Sequence, residues 1–248
     1  MPLEVIYQDQ WLCAISKPCG IMVHRSSIGT DRQFVLQRLR DQLGQRVWPV
    51  HRLDRATSGV LMFALDRDTA KWLGRAFMTR QVGKCYLAVV RGWTDQAGEI
   101  DHPLARQRRA EKQPAVTRYR LRARCELPIP VGGHETARYS LVEAMPETGR
   151  RHQIRRHFKH IAHHLIGDTT YGDGRHNRLF RQHLACHRML LHASRLELDH
   201  PRTTGRLRLE TPPDGEFARL ARDLFDWPVE GQEGKIAMAP AIDSLPEP

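Results

Sequence analysis

Hydrophobic and polar positions alternate along much of the chain, and a period of two is typical of β-strands. Residues 3–16 predict a strand, a turn and a second strand. In 116–123 and 137–144, basic or polar residues alternate with apolar ones, which predicts two half-exposed antiparallel strands. Four apolar segments predict further strands, at 59–65, 86–90, 190–198 and 207–209.

Three segments instead place apolar residues at helical spacing. These positions are Leu36, Leu39 and Leu43, then Ala70, Leu73 and Phe77, then Ile154, Phe158 and Ile161. In the third helix, Arg151, Arg155 and Lys159 fall on another face, so that helix is amphipathic. Because strands outnumber helices, we expect an α+β fold with a single mixed, largely antiparallel sheet and flanking helices. The tail at 229–248, rich in Ala, Pro and Gly, is predicted to be disordered.

The charge is strongly basic, with 39 Lys and Arg against 28 Asp and Glu and a formal net charge of +11. Basic residues recur at 106–109, 118–124, 150–159 and 175–188, which indicates a basic face on a folded domain. Such an excess favours a polyanionic partner, and nucleic acid is the commonest one. The alternative is an ordinary solvated basic surface.

The five cysteines are odd in number and form no C-x-x-C pair, which is typical of thiols in a reducing cytosol. The N-terminus has no basic region followed by an apolar one, so a secretory signal is not predicted. The longest run without a charged residue, 56–65, is about half of what a membrane span needs. We therefore expect a soluble, cytoplasmic protein without membrane association.

The segment His51–Gly59 is the densest cluster of reactive side chains in the sequence. Asp54 lies between Arg52 and Arg55, and nearby cations keep a carboxylate ionised. Arg52 and the hydroxyls of Thr57 and Ser58 have the chemistry to bind phosphate. From these residues alone, an Asp that only neutralises arginines or caps a turn remains an alternative.

The same segment resembles the H-R-L-D-x-x-T-S-G signature of the RluA family of pseudouridine synthases. Further segments are similar to motifs of that family and follow in the same order. They are Lys17-Pro18-Cys19-Gly20 with His24, the K-x-Y strand at 84–92, the T-G-R-x-H-Q-[LI]-R segment at 148–155, and the segments 167–172 and 191–193.

The resemblance implies a pseudouridine synthase domain over 1–228, with a bent, mostly antiparallel sheet and a central cleft. Lys17-Pro18 comes too early for a separate N-terminal RNA-binding domain, so we expect the catalytic domain to bind RNA by itself. The implied reaction isomerises uridine in RNA to pseudouridine, with Asp54 as catalytic carboxylate and without a cofactor. Asp54 is either a nucleophile or a group that assists departure of the base, and the sequence does not choose between them.

The family motifs also imply roles for other residues. Arg155 is expected to pair with Asp54. Tyr86 is expected to stack on uracil and act as general base, which requires nearby arginines to lower its pKa from about 10. Arg52 is expected to fill the space left by the extracted uridine, with simple phosphate binding as the alternative. The remaining candidate RNA-binding residues are His51, Thr57, Arg150, Arg151, Lys17 and His192, with a structural role as the alternative for Lys17.

Five histidines between 152 and 164 suggest a metal site, but their spacing matches no common ligand pattern, so we expect none. A non-catalytic RNA-binding protein would explain the charge but needs no Asp–Arg pair. A metal-dependent nuclease needs clustered carboxylates, which Asp54 lacks. Segments 113–119 and 173–178 look closest to family members that modify uridine 65 of tRNA, with ribosomal RNA as the alternative substrate. No protein partner is implied.

Overall fold

The computed structural model of the chain describes residues 2–24, 33–107 and 110–228. The strands are β1 (Glu4–Gln8), β2 (Leu12–Lys17), β3 (Trp48–Pro49), β4 (Ser58–Ala64), β5 (Gly83–Arg91), β6 (Ala97–Asp101), β7 (Leu104–Ala105), β8 (Lys112–Gln113), β9 (Val116–Leu127), β10 (Ala137–Pro146), β11 (Leu191–Asp199) and β12 (Arg206–Glu210). The helices are α1 (Val35–Leu43), α2 (Arg67–Met78), α3 (Gln153–His160), α4 (Gly174–Leu184) and α5 (Gly215–Phe225).

One large sheet joins ten of the described strands. Its order is β1-β2-β4-β11-β5-β10-β9-β6, with β3 beside β4 and β12 beside β11. Only the β4–β11 pair of this sheet is parallel in the described part of the chain. β7 and β8 form a separate hairpin. The predicted α+β class with a mixed, largely antiparallel sheet is confirmed.

Helices cover both faces of this sheet. Successive side chains of a strand point in opposite directions, so neighbouring residues of β4 contact the helices on opposite faces. Leu73 of α2 clusters with Val60 of β4, whereas Leu39 of α1 clusters with the next residue, Leu61. Consistent with two covered faces, every residue of β4 is buried. Tyr86 of β5 contacts both the α1 cluster and the α3 cluster, so α1 and α3 share the face that carries Tyr86.

A close approach of backbones lies at the parallel pair. Gly59 of β4 has a φ of +113°, and a Cβ atom there would lie 2.2 Å from the carbonyl oxygen of Ala193 in β11. A side chain is therefore excluded by both conformation and space. The contact brings the start of β4, and the loop that precedes it, directly against β11.

The predicted strands are all present, with bounds that differ by a few residues. Two helices lie outside the predicted elements. α4 is rich in His and Arg and has few apolar positions, so its apolar pattern is weak. α5 buries Phe217, Leu220, Ala221 and Phe225 at helical spacing, a signal that the sequence does contain. The predicted tail at 229–248 lies outside the described residues, and the predicted single domain over 1–228 stays a prediction.

The third predicted helix needs a correction. It begins at Gln153, so Arg151 precedes it and Ile161 follows it. Arg155 is only 8% exposed, although the sequence pattern placed it on the polar face. The helical period cannot reveal that this face meets buried carboxylates, and paired carboxylates are what allow a cation to be buried.

Candidate active site

The loop that carries Asp54 is held from inside by Lys17. Lys17 is fully buried, and its Nζ donates to the carbonyl oxygens of Pro18 (2.9 Å), Arg55 (3.3 Å) and Thr57 (2.7 Å). Burial lowers the pKa of Lys17 to about 8. The buried ammonium of Lys17 binds only backbone carbonyls among the described residues, so its predicted RNA contact is wrong and the structural alternative is the role observed.

His51 and Thr57 also serve the fold. The Nε2 atom of His51 accepts the backbone N–H of Met62 (2.9 Å), and its ring stacks on Phe77 at 4.7 Å. Burial, with a smaller effect of Lys84, lowers the pKa of His51 to about 3. Thr57 is 2% exposed. The buried Thr57 side chain cannot reach a phosphate in this arrangement, so its predicted RNA contact is wrong. His51 is partly exposed, and its RNA contact stays a prediction.

His192 lies in the centre of the sheet, with no exposed surface. Its Nε2 lies 2.9 Å from the carbonyl oxygen of Thr211, and its Nδ1 lies 2.8 Å from Ser58 Oγ. A carbonyl can only accept, so Nε2 carries the proton and the Ser58 hydroxyl donates to Nδ1. Burial lowers the pKa of His192 to about 4. The predicted RNA contact of His192 is wrong, since this imidazole links β11 to the start of β4.

Three charged groups meet at the centre of the candidate site. Arg155 Nη1 donates to Asp54 Oδ2 at 2.9 Å. The other edge of the guanidinium donates to Asp168, from Nε to Oδ2 at 2.7 Å and from Nη2 to Oδ1 at 2.8 Å. Burial lowers the pKa of Arg155, but Asp168 and Asp54 outweigh that effect and raise it. The sequence-predicted residues Asp54 and Arg155 are thus brought together, 101 positions apart in the chain.

Asp168 is the residue that sequence reasoning missed. Its side chain has no exposed surface, and Oδ1 also accepts the backbone N–H groups of Thr170 (2.8 Å) and Tyr171 (3.0 Å). Burial raises the pKa of Asp168, but the bonds from Arg155 and these amides lower it overall. The available signal was its place in the 167–172 motif, together with the need of a buried Arg for a second carboxylate.

His152 lies beside the carboxylate of Asp54. Its backbone has a φ of +54°, a left-handed conformation that is costly for a residue with a side chain. Nδ1 lies 3.1 Å from the hydroxyl of Tyr171, and Nε2 lies 3.7 Å from Asp54 Oδ1. Burial lowers the pKa of His152, although Asp54 opposes the shift, so the imidazole is neutral at pH 7.

Tyr86 lies on β5 opposite Ala144 of β10 and Ala193 of β11. Burial, followed by the charge of Asp54, raises the pKa of Tyr86 far above its usual value. The expectation that arginines lower this pKa is wrong, because loss of water and a nearby carboxylate both disfavour the phenolate. At neutral pH the Tyr86 side chain is therefore a neutral phenol.

The exposed cations lie around this centre. Arg52 and Arg151 are exposed, and Lys159 of α3 is exposed as well. Arg150 is half-buried, and its Nε donates to the carbonyl oxygen of Pro114 at 3.2 Å. The side chains of Arg52 and Arg151 are exposed to solvent and that of Arg150 partly so. The RNA contacts of all three residues stay predictions.

The clustered histidines bind protein groups in this structure. His157 Nε2 lies 3.0 Å from the carbonyl oxygen of His102, and His164 Nδ1 lies 2.9 Å from that of Tyr171. His163 Nδ1 similarly lies 2.7 Å from the carbonyl oxygen of Arg91. Among the described residues, no three His, Cys, Asp or Glu side chains are grouped so as to hold a metal ion.

Residues 12–160 match the family model for RNA pseudouridylate synthase. The chain belongs to this family. It is 46% identical to tRNA pseudouridine synthase C of Vibrio cholerae, over 91% of this chain and 96% of the relative. It is 49% identical to the Yersinia pestis protein of the same name, over 91% of each. The solved structure of human RNA pseudouridylate synthase domain containing 1 superposes with a TM-score of 0.69 at 25% identity, over 85% of this chain and 83% of that one.

This pseudouridine synthase is therefore an isomerase, and its structural neighbours agree with its fold class. Within the described part of the chain, no helix combines the length and the apolar character needed to cross a membrane. The geometry separates the family-motif residues into two groups. Lys17, His51, Thr57 and His192 support the loop, whereas Asp54, Tyr86 and Arg155 surround the site.

Acid should destabilise the synthase through His192. Its pKa is about 4 in the folded state and 6.5 ordinarily. Between these two pH values the unfolded chain binds a proton at His192 that the folded chain does not bind. The free energy of unfolding should therefore fall as the pH drops from 6.5 to 4. In His192→Gln, urea unfolding at several pH values should show a smaller fall, by up to about 3 kcal/mol, with unchanged RNA affinity.

The control is His187→Gln, at an exposed position nearby, which should leave the pH dependence as in the wild type. Loss of RNA affinity in folded His192→Gln would contradict the structural assignment and restore an RNA contact.

Proposed function

We propose that this pseudouridine synthase converts uridine 65 of tRNA to pseudouridine. The observation that supports this reaction is the contact between Asp54 and Arg155, in which the buried guanidinium holds one oxygen of the carboxylate at 2.9 Å. The tRNA substrate is supported by relatives named tRNA pseudouridine synthase C, at 46% and 49% identity over most of both chains. Position 65 rests on the resemblance of segments 113–119 and 173–178.

The reaction needs no net input of protons or electrons. The bond from uracil N1 to C1′ breaks and its electron pair stays on the base. The base turns, C5 bonds to C1′, the proton on C5 leaves, and N1 gains a proton. Asp54 Oδ1 is the oxygen that Arg155 does not hold, and it is the atom that would bond to C1′ or assist departure of the base.

Arg155 keeps Asp54 ready for this step in two ways. A guanidinium beside a carboxylate favours its ionised form, and a hydrogen bond to one oxygen fixes the orientation of the other. Because the Arg155 side chain is only 9% exposed, water competes weakly for this contact. We therefore assign Arg155 to the catalytic centre.

We assign the ring of Tyr86 to stacking on uracil, and its phenol oxygen to removal of the C5 proton. The raised pKa of Tyr86 opposes the second role in the free enzyme. In the nucleophilic version, the new bond from C5 to C1′ displaces Asp54 from C1′, so the carboxylate has regained its charge when the C5 proton leaves. That proton is acidic at this stage, because C5 is tetrahedral beside the C4 carbonyl and its loss restores the conjugated ring. Proton removal by Tyr86 is therefore placed after the bond from C5 to C1′ forms.

A uridine in a stem is paired and stacked, so its extraction costs a few kcal/mol. We assign Arg52 to the vacated space, because it is exposed, precedes Asp54 by two residues, and has a planar guanidinium that can stack. Arg150, Arg151 and Lys159 are assigned to phosphates, which supply most of the binding energy of RNA. A cytoplasmic location follows from a tRNA substrate in this proposal.

Asp54→Asn should abolish turnover, because an amide cannot act as an anionic nucleophile. RNA affinity should stay within several-fold of the wild type, since phosphate contacts dominate binding. Release of tritium from RNA that contains 5-tritiated uridine measures turnover, and filter binding measures affinity. The matched control is Asp41→Asn, at an exposed carboxylate on α1. Normal turnover by Asp54→Asn would overturn the assignment of Asp54.

Tyr86→Phe keeps the aromatic ring and removes only the phenol oxygen. If that oxygen takes the C5 proton, turnover should fall by about 10²-fold or more, the usual contribution of a general base. RNA affinity should be unchanged. A Phe variant as fast as the wild type in the tritium assay would restrict Tyr86 to stacking.

The substrate is tested by competition. Purified enzyme receives equal amounts of unmodified tRNA and 23S ribosomal RNA, and pseudouridines are mapped in both. We expect modification of tRNA at uridine 65. Pseudouridine in the ribosomal RNA alone would keep the enzyme class and reject the proposed substrate.

The same assay also examines Arg52. Arg52→Ala should slow modification more in folded tRNA than in a short single strand, because only the folded stem requires a base to be replaced in the stack. Equal slowing on both RNAs would reduce Arg52 to a phosphate contact.

A further inference from the structure

We infer that Asp168 is a positioning residue for the reaction: it holds Arg155 so that the guanidinium binds one oxygen of Asp54 and leaves the other free. This inference rests on the proposed function, in which Asp54 carries the reaction. Asp168 itself has no exposed side-chain surface and cannot touch RNA. Any effect on catalysis must therefore pass through the groups that Asp168 holds, which are Arg155 and the backbone that carries Tyr171.

The geometry of the guanidinium explains the selectivity. Arginine and carboxylate tend to pair through two parallel hydrogen bonds, which engage both oxygens. Here the two-pronged contact goes to Asp168, through Nε (2.7 Å) and Nη2 (2.8 Å). Asp54 receives the contact from Nη1 to Oδ2 at 2.9 Å. Asp168 thus takes the bidentate contact that Asp54 would otherwise compete for.

Asp168 is itself held in place by backbone and side-chain hydrogen bonds. Its Oδ1 accepts the amides of Thr170 (2.8 Å) and Tyr171 (3.0 Å), and its carbonyl oxygen accepts Asn177 Nδ2 at 2.9 Å. Close packing reinforces this, because a Cβ atom on Gly172 would lie 2.1 Å from the same carbonyl oxygen. A carboxylate held by so many partners cannot follow Arg155 if the guanidinium turns.

The second oxygen of Asp54, Oδ1, which Arg155 does not hold, lies near other ordered side chains of the site. Oδ1 lies 3.7 Å from Nε2 of His152, whose Nδ1 is 3.1 Å from the Tyr171 hydroxyl. The Tyr171 ring lies 5.2 Å from the Arg155 guanidinium. Asp168 binds the backbone N–H of the same Tyr171, so one carboxylate holds both Arg155 and the residue that contacts His152.

Loss of the Asp168 charge would release Arg155 toward Asp54. A guanidinium that bound both oxygens would hold the lone pairs needed for reaction and would favour the ionised carboxylate more strongly. The chemical step should slow, whereas RNA binding, which depends on exposed cations, should not change. A purely structural role would instead lower stability without this selective effect.

The test compares Asp168→Asn with Asp173→Asn in the full-length protein, using tritium release from tRNA at several pH values. Asp173 is the matched control, because it is also a mostly buried carboxylate of the same loop and pairs with Arg91 and Arg175 (3.1 and 2.9 Å) rather than with Arg155. For Asp168→Asn we expect kcat to fall by about 10²-fold, KM to stay within about threefold, and the acid limb of the rate profile to move to lower pH. Asp173→Asn should keep kcat within about twofold of the wild type, provided that its melting temperature lies above the assay temperature.

Asp168→Glu covers the case in which the Asn variant does not fold, since it keeps the charge that buried Arg155 requires. The longer side chain should displace Arg155, so kcat falls while the acid limb stays in place. Wild-type kcat in either folded Asp168 variant would overturn the inference, as would an equal loss in Asp173→Asn. An inactive wild type on every RNA would instead reject the proposed function, and the inference with it.

Discussion

The burial of one guanidinium organises the active site. A cation removed from water is costly unless carboxylates pair with it in good geometry, and Arg155 has two such partners. The three residues come from different parts of the chain: the loop before β4, helix α3, and the loop before α4. Folding must bring Arg155 and Asp168 together, because either of them alone would leave an uncompensated buried charge, and Asp54 completes the cluster.

The scaffold around this triad uses polar groups that never meet solvent. Lys17 ties the Asp54 loop to the end of β2, and His192 ties Ser58 to Thr211. Gly59 allows β4 to approach β11 closely enough for that link. Each of these groups satisfies a backbone or hydroxyl partner that burial would otherwise leave without a hydrogen bond. The loop is thus preorganised before RNA arrives.

Cations in this protein divide by burial rather than by residue type. Lys17 and Arg155 are buried and bind protein oxygens, whereas Arg52 and Arg151 are exposed at the rim of the site. The same separation applies to the imidazoles, since burial lowers the pKa of His51 and His192 and leaves them neutral. Basic composition therefore overstates the number of groups available to RNA.

The sequence by itself determined the strand pattern and the α+β class. Through its family motifs it also determined that Asp54 pairs with Arg155. Alternation and short motifs are local properties, so they can be read without coordinates. Only the tertiary structure decided that Asp168 completes the ion cluster, that Tyr86 is a neutral phenol, and that Lys17 and His192 are internal. Those outcomes depend on which groups lose water and which partners face them across the fold. Neither quantity is encoded in the spacing of residues along the chain.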